Sequence, residues 1–220
     1  MLLRRLQERI ALTYDLEIGD DICDFVVTDP QALPDGARPS DGGEQLLVES
    51  GADDAVCGVA LYLDPHLLAR LERSDPTSAL HGGNVADYLT VLEGVSHFVC
   101  VAWHAQHDRD VSLLALEMQA EIDKYVTSCW LLRGQVPGRF PVELHPLLFR
   151  HTRVDPALAG ARAGLYRAAS DYAARFCHQV ERRLLRHGRR EAGHAEVEPV
   201  LRRFYRMPGR GKFEFIAQAG

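Results

Sequence analysis

The 220-residue chain has only two lysines, Lys124 and Lys212, although arginine is common. Its five cysteines are odd in number, widely spaced and contain no CxxC pair, which argues against a disulfide framework and favours buried free thiols. No apolar run of membrane-spanning length is free of charges, and the N-terminus lacks the apolar segment of a signal peptide. We therefore expect a cytoplasmic protein without a membrane partner. Arginine in place of lysine also suggests a GC-rich bacterial genome.

Charge is divided unevenly along the chain. Residues 1–149 contain 10 basic and 24 acidic residues, whereas residues 150–220 contain 15 basic and 7 acidic ones. We predict an α+β core over 1–149 and a basic helical segment over 150–220 that packs on it, within one domain. The basic segment has two open explanations. Either it packs against the acidic half with complementary charge, which we favour, or it contacts a nucleic acid or a protein partner.

Apolar periodicity predicts mostly helices around a small sheet. The predicted fold class is α+β, a small antiparallel sheet packed on a mostly helical domain with a central buried antiparallel helix pair. Two apolar runs around a Gly/Asp turn predict a β-hairpin, Asp64-Pro65 predicts a helix start, and Asn84 or Asp87 is the expected cap of the first central helix. The predicted elements are helices near 2–14, 64–73, 85–105, 112–132, 156–187 and 197–206, strands near 44–50 and 55–64, and a short terminal strand in 211–218.

The two central helices carry ionisable residues where a plain core helix would have none. Residues four and seven apart share a helix face, so each helix presents one polar stripe, and the two stripes could meet. Burying a lone carboxylate costs roughly several kcal/mol, so these groups must be paired or bound to a metal. The first stripe comprises Glu93, Ser96, His97 and His104; the second comprises Glu117, Glu121 and Lys124.

The order of small sheet, helix with EGVSH and helix with EMQAE resembles a minimal zincin of the HExxH metallopeptidase type, over about residues 44–130. The resemblance places Glu93 and His97 at the two histidine ligands and Glu117 at the third ligand. Glu121 falls at the acidic residue that supports such a site. The sequence departs from the pattern at Gly94, which stands where the general-base glutamate would be and has no side chain to activate water.

The cluster has three interpretations. The first is a non-proteolytic, binding or regulatory descendant of the zincin scaffold, with a divalent Zn, Mn or Fe ion or with none. The second is a metal-dependent hydrolase whose base is Glu121. In the third, buried Glu93–Lys124 and His97–Glu121 pairs form a polar lock without metal, with Ser96 and His104 beside them. A nucleic-acid-associated protein that uses basic residues 182–190 is a further alternative.

Overall fold

The computed structural model describes residues 1–33, 42–50, 56–150, 161–186 and 192–218. The chain divides into two compact units, Met1–Ala11 with Leu16–Asp110, and Leu12–Asp15 with Val111–Gly220. The predicted α+β class is confirmed. The boundary expected at residue 149 followed a change in charge, which is a different criterion from compactness, and that domain assignment stays a prediction.

The described residues of the first unit form the sheet, two complete helices and most of the N-terminal helix. The helix α1 (Leu2–Tyr14) begins the chain, and its predicted spacing is confirmed because Leu3, Leu6 and Ile10 are buried. The remaining elements are β1 (Val26–Val27), β2 (Glu44–Ser50), β3 (Val56–Leu63), α2 (Pro65–Arg73) and α3 (Val85–Gln106), with short 3-10 turns at Ile22–Asp24 and Pro30–Ala32.

The sheet has the strand order β1-β3-β2. The predicted hairpin is confirmed, since β2 and β3 pair antiparallel from Glu44 opposite Leu63 to Ser50 opposite Val56; its turn lies outside the described residues. The expectation of a purely antiparallel sheet is wrong, because the short apolar run at Val26 adds β1 parallel to β3. Strand β3 is therefore the central strand and is paired along both of its edges.

The starts of α2 and α3 are built differently. Asp64 caps α2 as predicted, since its Oδ1 accepts hydrogen bonds from the backbone N–H groups of His66 and Leu67. Asn84 precedes α3, but its side chain instead accepts from the His81 N–H at 2.9 Å and donates to loop carbonyls. Asp87 pairs with Arg70. The expected side-chain cap of α3 is thus wrong, because the loop before the helix engages the Asn84 side chain and Arg70 of α2 engages the Asp87 carboxylate.

The second unit is helical where the structure describes it. Its helices are α4 (Leu113–Gln135), α5 (Leu144–Phe149), α6 (Ala161–Arg186), α7 (Ala192–Arg206) and α8 (Gly209–Gln218). Ser112 caps α4, accepting from the Ala115 N–H. The expected helix start at Pro156 and part of the break after α6 lie outside the described residues.

The predicted terminal strand in 211–218 is wrong, because these residues belong to α8. Lys212 and Ile216, four residues apart, are both buried. Phe213 lies 4.8 Å from Tyr172 of α6, and Phe215 lies 5.8 Å from Phe204 of α7, between ring centres. Packing against α6 and α7 therefore stabilises a helix at the position where a strand was predicted.

Among the described residues, α3 is long and apolar enough to cross a membrane by length and composition. However, 67% of its most apolar window is buried within the protein, and buried core helices of soluble proteins pass the same test. The finding is weak evidence for a membrane span, and the predicted cytoplasmic location stays a prediction.

Candidate metal centre

Two predicted ligands lie one turn apart on α3. His97 is buried, with 6% of its surface exposed, and Glu93 is half-buried. Their spacing of four places both side chains on the same helix face. The predicted Ser96 is also buried on this helix. Since most of α3 is apolar, this face concentrates the helix's polar groups in surroundings that penalise an uncompensated charge.

Gly94 lies where α3 comes very close to the sheet. A Cβ atom at this position would lie 2.7 Å from Glu44 Cγ and 2.9 Å from Leu61 Cδ1. Real Cβ atoms essentially never approach other heavy atoms within 3.0 Å, so any side chain here would displace a neighbour. The position that the zincin pattern gives to a catalytic glutamate is thus filled from the sheet, by Glu44.

Glu44 is a site residue that the sequence analysis missed. Its Oε1 lies 3.5 Å from His97 Nδ1, and the side chains of Glu44 and His97 are 12% and 8% exposed. Nothing in the sequence of β2 distinguishes Glu44 from Glu49 as a partner of α3. The available signal was Gly94, because a glycine inside an apolar helix often permits a close approach.

The predicted residues of α4 are also largely buried. Glu117 has 6% of its surface exposed and Lys124 has 9%. Lys124 Nζ donates to Glu121 Oε1 at 2.8 Å, so these two residues form an ion pair within their own helix. The expected Glu93–Lys124 and His97–Glu121 pairs stay predictions.

Glu93 and His97 form a pair of metal-ligand type within the first unit. Each offers one ligand atom, and these two atoms lie within 4.8 Å of each other. Glu117 of α4, the third predicted ligand, belongs to the second unit, and its assignment stays a prediction.

His104, predicted beside the cluster, is bound back to its own helix. Its Nδ1 lies 2.8 Å from the Cys100 carbonyl oxygen and 3.6 Å from Cys100 Sγ. Its ring meets the Trp103 ring edge-on, with 5.0 Å between centres. These contacts give the buried His104 a local structural role.

A second buried polar network, in the second unit, was not predicted. Tyr14 donates to Asp123 Oδ1, which also accepts from Gln119 Nε2 at 2.9 Å. Lys212 Nζ donates to Gln119 Oε1 at 3.2 Å and lies 5.3 Å from the Tyr205 ring centre. Burial, followed by the charge of Asp123, raises the pKa of Tyr14. The members lie far apart in sequence, so no local pattern could have grouped them.

The predicted buried free thiols are confirmed among the described cysteines, where Cys100, Cys129 and Cys177 are buried and Cys23 is partly exposed. Burial raises the pKa of Cys129 to about 12 and that of Cys177 well above its usual value. A thiol acts as a nucleophile through its thiolate, so burial makes Cys129 and Cys177 poor nucleophiles. The side chain of Cys57 lies outside the description.

The fold and this site define an α+β protein with a largely buried carboxylate–imidazole group of the kind that holds divalent cations. No family model, no curated protein and no solved structure matches the chain. The resemblance to zincins, carried by EGVSH and EMQAE, therefore stays a prediction.

Proposed function

We propose that the protein binds one divalent transition-metal ion through Glu93 and His97, with Glu117 as the third ligand that the sequence predicts, in a binding or regulatory role without proteolysis. The supporting observation is that Glu93 and His97 each offer a ligand atom on the same face of α3 and that these two atoms lie within 4.8 Å of each other. Nitrogen and oxygen ligands lie about 2.0–2.2 Å from such an ion, so two ligands of one ion are at most roughly 4.4 Å apart. A small inward adjustment of the side chains meets this limit.

The donor set limits the choice of metal. Imidazole suits Zn²⁺ and Fe²⁺, whereas carboxylates also suit Mn²⁺. Two carboxylates and one imidazole therefore favour Mn²⁺, Fe²⁺ or Zn²⁺ over soft cations. Two anionic ligands would also neutralise most of the ion's charge, which would make it weaker at acidifying a bound water.

The non-proteolytic role follows from Gly94. Metal-assisted hydrolysis needs a polarised water and a group that accepts its proton. The zincin pattern supplies that group from the helix position that Gly94 occupies, and the close approach of Glu44 and Leu61 leaves no room for a longer side chain. We propose that the chain is a degenerate zincin-like scaffold that keeps ligands and lacks the peptidase base.

A metal-dependent hydrolase that uses Glu121 as its base is the competing proposal. The Glu121 carboxylate already accepts a hydrogen bond from Lys124 Nζ at 2.8 Å within α4. This contact favours a supporting role for Glu121. Retention of metal together with loss of a measured hydrolase activity in Glu121→Gln would instead establish the hydrolase.

Metal content tests the proposal directly. Purified full-length protein, stripped with chelator and separately reloaded with Mn²⁺, Fe²⁺ or Zn²⁺, is expected to retain about one equivalent of at least one ion by elemental analysis. His97→Ala and Glu117→Gln should each retain under about a tenth of an equivalent, because each removes one of three ligands. The loaded wild-type protein should leave a fluorogenic peptide library uncut.

His66→Ala is the matched control, because His66 is an exposed histidine of the same unit. It should bind metal as the wild type does. Retention of under a tenth of an equivalent by the wild type would overturn the proposal, as would equal metal loss in His66→Ala and His97→Ala. Peptide cleavage that depends on His97 would overturn the non-proteolytic role.

A further inference from the structure

Strand β2 brings a carboxylate to α3. Glu44 begins β2, and on an antiparallel strand Glu44 and Leu46 share a face. Leu46 pairs with Leu61, which packs on Gly94. The strand register therefore directs Glu44 towards α3, and the missing side chain at Gly94 gives its carboxylate room.

The approach of Glu44 distinguishes the two nitrogens of His97. Glu44 Oε1 lies 3.5 Å from Nδ1, and an approach of about 0.5 Å would complete an ordinary N–H···O hydrogen bond. A carboxylate beside Nδ1 favours the tautomer in which Nδ1 carries the hydrogen. The Nε2 lone pair is then the one available to a metal ion.

Metal-binding histidines commonly donate their second ring N–H to a carboxylate, which fixes the ring orientation and makes the ligating nitrogen more basic. We infer that Glu44 is the positioning residue of the metal site: it holds His97 in the Nδ1–H tautomer so that Nε2 binds the ion. This inference rests on the proposed metal-binding function. It also gives Gly94 a role, because a side chain there would push Glu44 away from His97.

Two measurements on the full-length protein test the inference. Nitrogen-15 NMR of the metal-free protein, at a pH where His97 is neutral, should show the Nδ1–H tautomer in the wild type. Glu44→Ala should shift the population to the Nε2–H tautomer. Titration with Mn²⁺ and Zn²⁺ should show a Kd about 10- to 100-fold higher for Glu44→Ala than for the wild type.

Three further variants separate positioning from general damage. Gly94→Ala leaves Glu44 in the chain but displaces it, so it should reproduce both effects, whereas Glu44→Asp should recover part of the affinity. Glu49→Ala is the matched control, since Glu49 is an exposed carboxylate of the same strand. It should leave the tautomer and the Kd unchanged.

A wild-type protein in the Nε2–H tautomer would overturn the inference, and so would a Glu44→Ala protein whose Kd stays within twofold of the wild type. If the wild type bound no metal, the proposed function would fail. The tautomers of wild type and Glu44→Ala would then decide by themselves whether Glu44 orients His97.

Discussion

Both lysines of the chain are buried, Lys212 at 2% and Lys124 at 9% exposure, whereas exposed cations of the described chain are arginines. Each lysine has a polar partner, Gln119 for Lys212 and Glu121 for Lys124. A buried ammonium needs such a partner, because desolvation would otherwise favour its neutral form. The scarcity of lysine in the sequence thus marks two positions of structural importance.

Tyr125 differs from the two lysines in the satisfaction of its buried polar group. Its ring is 1% exposed, and among the described residues its hydroxyl has no hydrogen-bond partner. An unsatisfied buried polar group costs about 1–3 kcal/mol. Tyr125→Phe should therefore leave the free energy of unfolding unchanged or raise it by about 1 kcal/mol, as measured by urea denaturation. A loss above about 1 kcal/mol would show that the hydroxyl is hydrogen-bonded.

At the scale of elements, local signals predicted most boundaries. The spacing of α1, the β2–β3 hairpin and the starts of α2 and α4 followed from periodicity and caps. The errors have tertiary causes: β1 is only two residues long and exists because β3 is beside it, and α8 is decided by packing on α6 and α7. Glu44 was missed for the same reason, since strand register determines which polar residue reaches α3.

The start of α2 yields a prediction about a cap. Asp64→Ala removes the acceptor for two backbone N–H groups and should destabilise the protein by about 1 kcal/mol, measured as a lower urea midpoint. Glu72→Ala is the control, because Glu72 is an exposed carboxylate of the same helix. It should change stability by no more than about 0.5 kcal/mol. Equal effects of the two variants would contradict the capping role.

At the scale of the whole molecule, buried phenols and thiols together with paired surface carboxylates determine how stability depends on pH. Hydrogen bonds from Arg70 lower the pKa of Asp87. Burial raises the pKa values of Tyr14, Tyr125 and Cys129, the last to about 12. Charge patterning in the sequence suggested a division at residue 149 but gave no information on these groups, because burial decides their ionisation.

The direction of each effect follows from proton linkage. Asp87 contributes to the free energy of unfolding at pH values above its pKa in the unfolded chain, which is about 3.9. This contribution is lost as the pH falls through the lower pKa that Asp87 has in the folded protein. Cys129 and Tyr14 have a higher pKa in the folded protein than in the unfolded chain, where the values are about 8.5 and 10. Their contribution to the free energy of unfolding is therefore complete below those unfolded values and is lost as the pH rises. Stability should therefore fall below about pH 4 and, more steeply, above about pH 8.5.

The melting temperature, measured by thermal unfolding with reductant across pH 3–11, follows the loss of stability at both acid and alkaline pH. The decline at alkaline pH should be the steeper one, because several buried thiols and phenols ionise on unfolding there, whereas Asp87 is paired with Arg70 near the surface. Tyr125→Phe removes one of the buried phenols and should make the decline above pH 10 shallower without changing the decline at acid pH. A melting temperature that stayed constant up to pH 11 would mean that these groups ionise in the folded protein, and would contradict their burial.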